Sequence, residues 1–229
     1  MSISTKALSL LLGALMLLSL FSLVATVNVA ASDPSPPSAP VRLVFIHHST
    51  GEDWLRDSHG GLGIALRNNR YYVSDTNYGW PYGNYDIGSS TDIGNWWDWF
   101  RGPNSATYLR DLYSTSTQTP DVYSRLATKP AGSNQVIMFK SCFPNSALQG
   151  NANDPIPSIN SNPLVGQVSS SPYHTVANAK GIYIDLLNYF KTRQDKLFIV
   201  VTAPPLIDGT YSSNARAFNQ WLTNDYLKN

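Results

Sequence analysis

The chain has 229 residues, only 14% of them charged, and a formal net charge of +1. So weak a charge provides neither the clustered basic face that nucleic acid requires nor a polybasic run for an anionic membrane surface. Its 13 Tyr and 6 Trp supply stacking surfaces for sugars or other flat ligands, although such side chains mostly fill cores.

Residues 1–31 read as a signal peptide. Lys6 forms the positive n-region, Ala7 to Val27 is almost wholly apolar, and Val29-Ala30-Ala31 places small residues at the cleavage spacing. The apolar run is also about long enough to span a bilayer, so an uncleaved N-terminal anchor is the competing reading. Either way the rest of the chain is expected to be secreted or at the cell surface, meeting membrane only through an uncleaved leader. No cysteine lies near the cleavage point, which excludes a bacterial lipid anchor. Residues 32–40 are a Pro/Ser-rich linker, extended and unable to build a core. The remaining 41–229 suits one domain. The single cysteine, Cys142, makes no intramolecular disulfide, so the domain rests on its hydrophobic core.

Val41 to Ile46 is a β-branched and aromatic run that stops at His47-His48-Ser49-Thr50-Gly51, which predicts a buried strand ending in a turn. Gly60 to Asn69 carries Leu62, Ala65 and Leu66 at helical spacing, and Tyr71-Tyr72-Val73 predicts a short second strand. From about 74 to 103 no period is sustained. This aromatic-rich segment reads as an irregular insertion, too rich in Tyr and Trp for disorder. Trp96-Trp97-Asp98-Trp99-Phe100 is dense enough to form a small core of its own. A helix over Thr107 to Ser114, a strand over Gln135 to Phe139 and a loop over Asn151 to Pro172 follow. A helix over Val176 to Thr192, a buried strand over Lys196 to Thr202 and a final helix capped by Ser213 complete the chain. Alternating helices and solid apolar strands predict an α/β fold in three layers, a mostly parallel sheet flanked by helices. The last helix would normally lead into another strand, so the sheet is expected to lack its last strand.

In open α/β sheets, chemistry collects beyond the carboxyl ends of the strands. Ser49 stands at such an end and is the candidate nucleophile. The ordinary alternative is a turn or cap residue whose hydroxyl satisfies local backbone. Three places together resemble the SGNH (GDSL-type) hydrolase family. Ile46-His47-His48-Ser49-Thr50-Gly51 stands where that family has Gly-Asp-Ser, Gly60-Gly61 falls at its glycine block, and Phe139 to Asn145 at its strand followed by Gly-x-Asn-Asp. The resemblance implies an SGNH/flavodoxin-like fold and ester hydrolysis, often deacetylation of carbohydrate, with no cofactor. It implies an oxyanion hole from the N–H of Thr50, a glycine N–H of Gly60 or Gly61, and the Asn145 amide. The family's Asp-x-x-His block is absent. The base is then expected beyond Asn229, or in His47 or His59.

His48, Trp80, Trp97 and Lys140 are candidate substrate contacts, Lys140 for an anionic one. His47 and His48 also read as structural groups at the sheet end. As zinc ligands they lack nearby Cys or carboxylate partners, and Asp75, Asp86 and Asp92 lack calcium-loop spacing, so no metal is assigned. His174 cannot be placed from sequence. Cys142 beside Lys140 is a rival nucleophile. The competing functional class is a non-catalytic carbohydrate-binding or extracellular structural protein, with Tyr and Trp as its contact surface.

Overall fold

The computed structural model describes residues 35–77, 90–119, 122–204, 206–207 and 209–229. The leader, Trp80 and Asp86 lie outside them. The chain divides into two compact units, 1–35 and 36–229, and every element below belongs to the second. Among the described residues no helix is long and apolar enough to cross a membrane.

Four strands, β1 (Val41–Ile46), β2 (Tyr71–Thr76), β3 (Val136–Lys140) and β4 (Leu197–Val201), form one all-parallel sheet in the order β2-β1-β3-β4. Helices pack on both faces, as parallel strands require. On one face α1 (Thr50–Leu55) and α2 (Leu62–Asn68) cover Leu43, Phe45, Val73 and Val136. On the other, α3 (Ile93–Phe100), α4 (Ser105–Ser114), α5 (Val176–Phe190) and α6 (Ser212–Asn224) enclose a larger core around Val44, Ile46, Ile137 and Phe139. Alternation along β1 decides which side chain serves which core. At roughly 1.5–3 kcal/mol for each large apolar side chain buried, these two cores supply most of the drive to fold.

Two segments differ from expectation. β2 runs on through Ser74, Asp75 and Thr76, all fully buried, because parallel pairing with Val44, Phe45 and Ile46 satisfies their backbone. Within the expected irregular segment, Ile93–Phe100 is a helix. Asp92 opens it with a capping box, its carboxylate facing the Asn95 N–H while the Asn95 side chain accepts from the Asp92 N–H. Trp96, Trp99 and Phe100 join the main core rather than a separate one. Gly94 is required there: a Cβ would lie 2.3 Å from the carbonyl oxygens of both Leu164 and Gln167. β4, expected to be buried, is half-exposed along its length because it is the sheet edge.

The chain passes from β1 outward to β2, then crosses to the other side of β1 to form β3. The strand order therefore reverses between β1 and β3. Just outside the carboxyl ends of such neighbouring strands is where open α/β sheets form the crevice that holds ligands.

Candidate active site

β1 delivers Ser49 to that crevice. The His47 N–H still pairs with the Thr76 carbonyl at 3.1 Å, so the strand alignment persists to the turn. The backbone then reverses at Ser49, with φ 52° and ψ −122°, and α1 begins at Thr50. Only Ser49 and Arg70 have positive φ among the described non-glycine residues. Such a conformation costs about 1–3 kcal/mol and survives only where its surroundings enforce it. A serine on a strained strand-to-helix turn, with glycine two residues later, is the geometry of a nucleophile elbow. Ser49 is exposed, and although it occupies the cap position of α1 its side chain makes no capping hydrogen bond. The Thr50 N–H is the first of α1 and has no intrahelical partner.

His47 is what enforces the turn from below. A Cβ on Gly51 would lie 2.5 Å from the His47 Cβ and 2.8 Å from its Nδ1, so only glycine lets α1 close over this ring. The ring is fully buried and rests on Phe45, 4.7 Å between centroids. Its Nε2 pairs with the Asp75 carboxylate at 3.1 Å, leaving Nδ1 without a hydrogen-bond partner. Asp75 is itself fully buried. Its other oxygen accepts from the Tyr123 hydroxyl and the Thr119 N–H, each at 2.8 Å. Burial beside Asp75 pushes the Tyr123 phenol far up, so it stays a donor.

On the opposite face of the sheet, Asp92 organises a second cluster. It accepts from the Asn145 amide at 2.6 Å and from the Ser169 N–H at 2.8 Å. The Asn145 carbonyl in turn accepts from the Ile93 N–H at 2.8 Å. Trp96 donates to the Ser141 hydroxyl at 2.8 Å, fastening α3 to the end of β3. His48 and His174 both feel the Asp92 charge. Burial nevertheless holds both imidazoles below their ordinary range, and for His48 the Lys140 charge acts in the same direction.

The structure thus brings Ser49, Thr50, His47, His48 and Lys140 to the ends of β1 and β3. It places the other sequence candidates differently. The Gly60 and Gly61 N–H groups donate to the Asp53 and Arg56 carbonyls within the α1–α2 turn. His59 lies exposed on that turn, with Nδ1 against the Ser58 hydroxyl at 3.0 Å. Asn145 is at the crevice, but both ends of its amide hold the start of α3. Trp97 sits on the α3–α5 seam and donates to Asp185 at 3.1 Å. Cys142 is partly exposed at the end of β3. Asp75 and Asp92 serve two separate networks, and among the described residues no group of three His, Cys, Asp or Glu side chains is arranged to hold a metal ion.

Asp75 and Asp92 are partners of the site beyond the sequence candidates. Their signals in the sequence are an acid on the strand beside β1, in register with Phe45 two positions before His47, and an Asp-x-x-Asn box before an apolar helix. No protein-family model matches the chain, and neither curated proteins nor solved structures give a match.

Proposed function

We propose that this protein is an exported serine ester hydrolase acting on O-acylated carbohydrate, with Ser49 as nucleophile and the Thr50 N–H as an oxyanion donor. The observation that carries the reading is the Ser49 backbone, strained at a strand-to-helix turn over the sheet's switch point. The β2-β1-β3-β4 order also suits an SGNH/flavodoxin-like sheet. In the proposed step the Ser49 oxygen bonds to the ester carbonyl carbon as its proton passes to a base; the bond to the alcohol oxygen breaks as the carbonyl reforms, and the base returns the proton to the leaving alcohol. Water then attacks the acyl-serine by the same route, releasing the acid and restoring Ser49. His47 is paired with a carboxylate, through Nε2 to Asp75, and keeps Nδ1 uncommitted.

Hydrolysis of p-nitrophenyl acetate and of acetylated oligosaccharides by the purified chain tests this. Ser49→Ala is expected to lower kcat/KM at least ~100-fold. Equal turnover by the variant would refute the assignment. Glycan binding without turnover by the wild type would favour the non-catalytic carbohydrate-binding reading instead.

A further inference from the structure

Lys140 ends β3, one step beyond the Ile46–Phe139 pair and beside His47. Its residue is 1% exposed, yet its Nζ has no hydrogen-bond partner. The ammonium lies over the Trp54 ring on α1, 5.5 Å from its centroid. Among the described residues, every carboxylate on the elements around it is already engaged. On α1, Glu52 is held by Arg56 and Asn77, and Asp53 faces Arg56. On β2, Asp75 is held by His47, Tyr123 and Thr119. Asp92, at the start of α3, is held by Asn145 and Ser169. His47 and His48 follow β1 beside it, and Val201 pairs with it across β4. Among the described residues, the Cys142 thiol is the acidic group whose charge acts on Lys140.

We propose that the crevice between β1 and β3 is a carboxylate-binding site with the Lys140 ammonium as its counter-ion. A buried cation without a counter-ion is disfavoured, so burial pushes the Lys140 amine below its usual range. An arriving carboxylate restores the charged form. Binding therefore takes up a proton from solvent: amine and proton become ammonium, paired with the anion. One ammonium matches one negative charge, which favours a monoanionic carboxylate over a phosphate dianion. Trp54, 38% exposed and stacked on Phe45, lies against Lys140 on the α1 side. The site does not depend on Ser49 being a nucleophile.

Calorimetric titration of the full chain with acetate and with glucuronate, in two buffers of different ionisation enthalpy, reads affinity and proton uptake together. The wild type is expected to take up protons as acetate binds at alkaline pH, read as a binding enthalpy that differs between the two buffers. Lys140→Met is expected to weaken acetate binding at least ~10-fold and to abolish the uptake. Lys140→Arg, already charged, is expected to keep binding but take up no proton. This second variant decides the matter if Lys140→Met does not fold. Tighter binding of glucuronate than of acetate would identify an acidic sugar as the source, and the reverse a free small acid. The proposal is overturned if wild type and Lys140→Met bind acetate within twofold of one another, if Lys140→Arg takes up as much proton as wild type, or if the wild type binds neither acid.

Discussion

Gly51→Ala tests the elbow at its tightest point. The new methyl would sit 2.5 Å from the His47 Cβ, 2.7 Å from Cγ and 2.8 Å from Nδ1. His47 has nowhere to retreat, because it is fully buried, lies on Phe45 and is tied to Asp75 at 3.1 Å. Overpacking of this kind costs about 1–3 kcal/mol. If the ring instead swings away, Asp75 loses a donor in a buried site, a penalty of about 1–3 kcal/mol. Either route predicts roughly 1–3 kcal/mol of destabilisation, a fall in thermal midpoint of roughly 2–12 °C for a domain of this size. Urea denaturation and calorimetry of the single variant and of Gly51→Ala/His47→Gly measure it. Removing the His47 side chain should relieve the clash, so the double variant should be more stable than the sum of the two single losses implies by about 1–3 kcal/mol. A Gly51→Ala protein with an unchanged midpoint, or strictly additive losses, would refute the claim that His47 props the Ser49 turn.

Two other outcomes follow from the buried groups. Asp75→Ala strips a partner from His47, the Tyr123 hydroxyl and the Thr119 N–H at once, and should cost roughly 3–5 kcal/mol in urea denaturation, with Asp75→Asn losing clearly less. His174 is held below its ordinary pKa by burial, so between the ordinary and the depressed value the unfolded chain carries a proton that the native chain does not. Stability should therefore fall as pH drops through about 6.5, and His174→Leu should flatten that slope when urea midpoints are compared at neutral and mildly acidic pH. His48, depressed in the same direction, leaves a residual slope. A His174→Leu curve parallel to the wild type would remove His174 from this account.

The strands and the longest helix were legible because each is a pattern of one period. Val41–Ile46, Val136–Lys140, Leu197–Val201 and Val176–Phe190 all lie within a residue or two of where their apolar runs place them. Three local features were hidden by tertiary effects. Ser74 to Thr76 look like loop, but they are polar residues buried in a parallel ladder, with Asp75 neutralised by partners up to 48 positions away. The helix at Ile93–Phe100 depends on a box closed by Asp92 and Asn95 and anchored by Asn145, 53 residues on from Asp92. The six-residue α1 is too short to show a period at all. Within the site, the strand-end position of Ser49 could be read directly. The commitment of Asn145 and of the Gly60 and Gly61 N–H groups could not, because it depends on which neighbours the fold brings to them.

The central claim is that the strained, uncapped Ser49 is a nucleophile. Incubation of the purified chain with a fluorophosphonate, followed by peptide mass spectrometry, tests it without knowledge of the substrate. The account predicts a single phosphonylated residue, Ser49, with labelling abolished in Ser49→Ala and slowed in Gly51→Ala. No adduct on the folded wild type, or an adduct elsewhere that persists in Ser49→Ala, would contradict it.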